Sequence, residues 1–152
     1  MGDDSISVVR ATGDDVGVAA PLFDAYRQFY GQAPDLAAAA EFLAARMSRA
    51  ESALFLAVRN GAAIGFTQLY PSFSSVSMRS VWVLNDLFVA AEARQAGAAQ
   101  CLLQAAAEFA RQQGAIRLAL ATAADNTPAQ SLYEKLGWRR DDAFWHYEFQ
   151  LE

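Results

Sequence analysis

The stretch from Val81 to Leu103 constrains this chain more than any other. Its first half, Val81 to Val89, is rich in Val, Leu, Phe and Trp, the composition of a buried strand. Asn85 and Asp86 interrupt it, and both are poor strand formers. A polar pair inside a central strand costs stability unless it has a partner or a task. The second half, Arg94-Gln95-Ala96-Gly97-Ala98-Ala99, leads through a turn into a helix that opens on glycine. Small residues there let a ligand approach the backbone closely. The first amides of a helix lack internal partners and carry the positive end of its dipole, so they suit a phosphate.

Around this stretch the chain reads in order. Ile6 to Ala11 alternates weakly as an edge or near-edge strand, and Thr12 with Asp15 makes an approximate capping box for a helix carrying Phe23, Tyr26, Arg27 and Tyr30. Asp35 caps a second helix, from Leu36 to about Ser48, with Leu36, Ala39, Ala40, Leu43 and Met47 inward. Leu54 to Arg59 and Ala63 to Tyr70 flank Asn60-Gly61, a strong hairpin signal. Pro71 to Ser77 reads as a Ser-rich loop before a long strand from Arg79 to Val89. A helix from Gly97 to Gln113, a strand from Ile116 to Thr122 and a helix capped by Thr127, with Pro128 next and Gly137 at its end, follow. Ala143 to Leu151 reads as a last, aromatic strand. The order predicts a mixed α/β (α+β) sheet flanked by helices in a single domain, 1–152.

Composition excludes several classes. No apolar run approaches the roughly 18 residues of a membrane span. The start, Met1-Gly2-Asp3-Asp4, lacks a basic, apolar signal pattern, and Cys101 is the one cysteine, so a reducing cytoplasm is expected. A formal net charge of −5 argues against nonspecific nucleic-acid or anionic-membrane binding and favours cationic partners. No cluster has metal-ligand spacing, so no metal is expected.

Arg94-x-x-Gly97-x-Ala99 resembles the acyl-CoA signature of the GNAT N-acetyltransferase superfamily. A strand ending Leu87-Phe88-Val89 precedes it at the expected distance. Asn126-x-x-Ala129-x-x-Leu132-Tyr133-x-x-x-Gly137-Trp138 is similar to the superfamily's second CoA motif. The similarity is firm from about Leu54 to Trp138. It implies the GNAT fold, a mostly antiparallel sheet of about six to seven strands with about four helices, and acetyl-CoA as co-substrate. CoA would enter where the strand ending at Val89 splays from that at Ile116–Thr122.

Acetyl transfer to an amine needs a neutral amine, a donor for the thioester oxygen and a proton for the departing thiolate. Tyr133 follows Asn126 by seven residues, two helical turns, so both project on one face. The resemblance makes Tyr133 the proton donor; a buried core tyrosine is the alternative. It also assigns Asn126 and Ala129 to CoA, and backbone groups near Asp86, Leu87, Phe88 and Val89, freed by a bulge, to the thioester and pantetheine. Amides of Gln95, Ala96, Gly97, Ala98 and Ala99 would hold the pyrophosphate, with added charge from Arg94 unless it is a solvated surface residue. Asn85 and Asp86 are the substrate-side polar groups, and strand alternation points them opposite ways. Relatives acting on polyamines carry Leu-Glu-Asp here. Asn85 cannot take a proton, so Asp86 or a water chain is the base, or the amine arrives neutral. Tyr26, Tyr30, Gln68, Tyr70 and Trp82 suit an acceptor pocket, or a core. Cys101 reads as core and His146 as structural.

The resulting expectation is an N-acetyltransferase acting on a small primary amine, such as a polyamine or amino acid, by direct attack in a ternary complex. Its rivals are a protein or peptide acetyltransferase, of histone-like tails or N-termini, and an acyl-CoA-binding module without turnover. The aromatic C-terminal strand is consistent with a homodimer.

Overall fold

The Asn60-Gly61 turn sets the register of the sheet. Both residues take positive φ, 52° and 77°, as a two-residue hairpin between right-twisted strands demands. In this computed structural model, which describes residues 5–94 and 96–152, five strands form one sheet. They are β1 (Ser7–Arg10), β2 (Ala53–Arg59), β3 (Ala62–Ser74), β4 (Arg79–Val89) and β5 (Arg117–Leu120), paired in that order. The first three pairs are antiparallel and β4–β5 is parallel. The four α-helices are α1 (Val16–Phe29), α2 (Leu36–Ser48), α3 (Ala98–Gln112) and α4 (Thr127–Lys135). The chain forms two compact units, Met1–Ala121 and Thr122–Glu152.

In the first unit, helices cover both faces of the sheet. Ala19, Ala20 and Phe23 of α1 and Ala39 and Leu43 of α2 pack against Leu54, Leu56 and Phe66. On the other face Phe109 of α3 meets Phe55 at 5.3 Å and Trp82 at 4.9 Å between ring centroids. Leu54, Phe55 and Leu56 therefore alternate between two cores, which explains why β2 is apolar from Ala53 to Val58. The caps of the first two helices form as the sequence predicts. Asp15 accepts the Thr12 amide at 2.7 Å, and Asp35 accepts the Ala38 amide at 3.1 Å. No described helix is long and apolar enough to cross a membrane.

Two sequence expectations fail. Pro71 to Ser74 belongs to β3 and not to a loop. Beyond Leu69 the β2 ladder has ended, so β3 is an edge there and tolerates a proline. Ala143–Leu151 joins no ladder among the described residues, giving five strands in place of six to seven. Its Phe144, Trp145, Tyr147 and Phe149 are exposed. Strand propensity reports fit to a half-buried surface, and without one buried face it does not specify pairing.

Candidate functional site

The polar interruption of β4 is a bulge. Gln68 opposes Asp86, but the next pair is Leu69 with Leu84, so Asn85 is the extra residue. The bulge cancels the alternation expected of a strand. Asn85 and Asp86 do not face opposite ways: Asn85 Nδ2 donates to Asp86 Oδ1 at 2.9 Å, and both residues line one cavity. Asp86 is 3% exposed. Its Oδ2 accepts Gln68 Nε2 at 2.7 Å, and its carbonyl oxygen accepts Thr67 Oγ1 at 2.7 Å. Among the described residues no cationic side chain pairs with this carboxylate. Gln68 Oε1, fully buried beside it, has no hydrogen-bond partner.

The cavity, about 500 Å³, lies between β3–β4 and the α1–α2 pair. Phe23 and Tyr26 come from α1, Tyr30 from the residue that ends it, Phe42 from α2 and Tyr70 from β3. Tyr26 reaches the bulge, its hydroxyl donating to the Asn85 carbonyl at 3.4 Å. Burial first, then the adjacent Asp86 carboxylate, raises the Tyr26 hydroxyl above the ordinary tyrosine range. The same two causes push Tyr70 up to about 12, against a lowering pull from Arg46. Both phenols therefore stay protonated at neutral pH and serve as neutral hydrogen-bonding groups. Arg27 also lines the cavity, but its Nη1 is held by Asp24 Oδ1 at 2.7 Å and the Ala33 carbonyl at 3.2 Å.

Beyond the bulge, β4 outruns β5. The parallel ladder covers only Val81 to Leu84, so Leu87, Phe88 and Val89 have β3 as their one ladder partner among the described residues. That leaves an edge open to an extended ligand. Arg94 turns back onto this segment. Its Nε donates to the Val89 carbonyl at 3.2 Å, and its guanidinium lies 5.7 and 5.8 Å from the Phe29 and Phe88 ring centres. Ala96 and Gly97 bend the chain into α3, where the first intrahelical bond runs from Cys101 to the Gly97 carbonyl. Gly97 takes φ +88°, disfavoured for any residue with a Cβ. A Cβ there meets nothing within 4 Å, so the protein leaves that space open and the conformation, not crowding, selects glycine. The Ala98 and Ala99 amides follow in the first turn of α3, where amides lack an intrahelical partner. Gln95 lies outside the described residues.

In the second unit, Asn126 and not Thr127 caps α4, its Oδ1 accepting the Ala129 amide at 3.3 Å. Thr127 becomes the first helical residue because the Asn side chain reaches that amide. The far end is a Schellman cap, with Gly137 at φ +97°. The Trp138 amide donates to the Tyr133 carbonyl at 3.0 Å and the Gly137 amide to Glu134 at 3.1 Å. The Tyr133 and Trp138 rings lie 6.2 Å apart, the apolar contact that accompanies this cap. Much of the Asn-Ala-Tyr-Gly-Trp spacing is thus helix-capping grammar.

The structure brings Tyr26, Tyr30, Tyr70, Asn85 and Asp86 to one cavity, with Gln68 bonded behind Asp86. It does not bring Trp82 there; that ring meets Phe109 of α3 edge to face. Sequence reasoning missed Phe23, Arg27 and Phe42 as cavity residues. Phe42 lies one position off the Ala39–Leu43 stripe, and that offset was the available signal. Among the described residues no group of three His, Cys, Asp or Glu side chains is placed to hold a metal ion.

Residues 19–138 match the acetyltransferase (GNAT) family model. An uncharacterized N-acetyltransferase of Bacillus subtilis (strain 168), YhfO, is 49% identical over 142 residues, 93% of this chain and 95% of that protein. A probable acetyltransferase of Haemophilus influenzae is 39% identical over 68% of this chain and 72% of its own length. The crystal structure of a probable acetyltransferase, 42% identical, superposes with a TM-score of 0.92 over 96% of this chain and 98% of the other.

Proposed function

The chain belongs to the GNAT family of acetyltransferases, and from that premise we propose that it moves the acetyl group of acetyl-CoA to the primary amine of a small molecule. The reading takes residues 1–152 as one working domain and the reaction as direct attack in a ternary complex. It rests on one observation above the rest: a buried carboxylate, Asp86, with no cationic partner among the described residues, at the edge of a cavity and one residue from the open edge of β4. An ammonium group is the partner that such a carboxylate lacks.

The fit to acetyl-CoA is argued from this chain's own groups. Gly97 and the first turn of α3 offer amides and open space for a pyrophosphate. The open edge at Leu87 to Val89 offers backbone partners for an extended pantetheine. Arg94 is engaged by Val89, so the proposal leaves phosphate binding to the amides from Ala96 to Ala99. Acetyl-CoA supplies the activated acyl group. Asp86 orients the incoming amine and takes its proton, directly or through a water, as the N–C bond forms. Tyr133 protonates the departing thiolate; this role comes from the family motif alone.

The test is thiol release from acetyl-CoA across small amines, amino acids and basic peptides. Turnover with small amines is the expected result. Turnover with peptides only, or acetyl-CoA binding without thiol release, overturns the reading. The proposal also includes a homodimer using the exposed aromatics of 143–151, checked by light scattering.

A further inference from the structure

The cavity beside Asp86 carries more information than a preference for amines. Rings form a continuous wall: Phe42 and Phe23 lie 5.7 Å apart, Phe23 and Tyr26 6.4 Å, and Tyr26 and Tyr30 5.1 Å. Tyr70 adds a further ring and Ala39 a methyl group. Against this wall the charges are few. Among the described residues Asp86 is the one lining carboxylate, and no cationic side chain pairs with it. Among the same residues Arg27 is the one lining cation, and Asp24 already neutralises it at 2.7 Å.

We propose that the acceptor is a monoamine with a flat, apolar body, of the arylalkylamine kind, its ammonium on Asp86 and its ring against Phe23, Tyr26 and Phe42. The inference rests on the acetyl-transfer reading for its chemistry and on the cavity alone for its choice of ligand. A diamine or polyamine brings a second ammonium into a space with no second carboxylate and with a guanidinium on its wall. An α-amino acid brings a carboxylate to an Arg27 whose charge is already matched. An apolar body adds the transfer of its surface from water, and ring-on-ring contacts add to that. The volume, about 500 Å³, suits a small molecule and not a folded protein surface.

Two measurements on the full chain test this. The first is calorimetric binding of 2-phenylethylamine, propylamine, putrescine and lysine, which reads the cavity without any turnover. The second is kcat/KM for acetylation of the same amines. We expect 2-phenylethylamine to exceed putrescine and lysine at least tenfold in both. Phe42→Ala, at a partly exposed position, should lower the phenylethylamine-to-propylamine ratio several-fold. Equal or better binding of putrescine or lysine, or an unchanged ratio in Phe42→Ala, overturns the inference. Tight phenylethylamine binding without thiol release overturns acetyl transfer and leaves the ligand class standing. Acetylation that prefers putrescine does the reverse.

Discussion

Two buried carboxylates in the same unit have opposite surroundings. Asp24, 5% exposed on α1, is surrounded by donors: Arg27 Nη1 at 2.7 Å, Gln28 Nε2 at 3.2 Å and the Asp35 amide at 3.1 Å. Those bonds tie the end of α1 to the start of α2 and neutralise the charge. Asp86, 3% exposed on β4, is held by two neutral amides and faces a cavity. Burial alone does not separate them. The presence of a cation at Asp24 and its absence at Asp86 does. A buried charge with its counter-ion is part of the structure; one without it, facing a cavity, is a candidate for a ligand.

The largest expected effect follows at Asp86. Asp86→Asn should lower kcat/KM for the best amine by about 10²-fold or more, the scale of a lost general base. Stability should stay within about 1 kcal/mol of wild type or rise, because an unpaired buried charge is removed. The bond to Gln68 is kept, with the new amide donating to Gln68 Oε1 once the Gln68 amide turns over. Chemical denaturation beside steady-state kinetics checks both halves. A mutant that melts early yet keeps its rate would make Asp86 a second Asp24.

Asp24→Ala should behave the other way. It strands Arg27, Gln28 and the Asp35 amide, and should cost about 2–4 kcal/mol of stability. Catalysis per folded molecule should change far less than in Asp86→Asn, as active-site titration at low temperature would show.

The contrast also marks how far sequence reading reaches. Asn85-Asp86 was legible as an irregularity of the strand, and so as a candidate site, because a polar pair violates strand composition. The direction of Asn85 was not, since alternation holds only while the register does and the bulge breaks it. Trp82 sat within the same strand and faced the other core, a choice that period-2 pattern leaves open when both faces are buried. Asp24 had a signal in its i,i+3 spacing to Arg27, but nothing local says that the loop amide of Asp35 arrives there. Ala143–Leu151 had propensity and no pairing, because pairing depends on a neighbour that composition does not supply.

Asn126 offers an intermediate case. The family motif reads it as a CoA residue, yet its Oδ1 already accepts the Ala129 amide. Asn126→Ala should cost about 1 kcal/mol as a lost cap, and Asn126→Asp, which keeps the acceptor, should restore it. If acetyl-CoA affinity falls equally in both variants while only the first is destabilised, Asn126 does more than cap.

The smallest effect tests the charge difference itself. Tyr26 and Tyr70 both feel Asp86, after burial, as a cause of their raised ionisation, and Asp24 is a cause for neither. Tyr70 stands at about 12 in the folded chain, against about 10 when unfolded. The folded state holds that proton more tightly, so its contribution to stability is present below pH 10 and is lost as pH rises from about 10 through 12. In Asp86→Asn the carboxylate's share disappears and burial's remains. The folded tyrosine should then ionise at lower pH, and the loss of stability across that window should become shallower. Tyr70 is only half-buried, so solvent screening keeps the change modest. Phenolate absorbance against pH, with Tyr70→Phe to assign the step, reads it directly. Asp24→Asn should leave the curve where it is, because Arg27 already cancels that charge. A shift of equal size in both mutants would mean that Asp86 is no more exposed in its electrostatics than Asp24, and the case for an ammonium at the bulge would lose its basis.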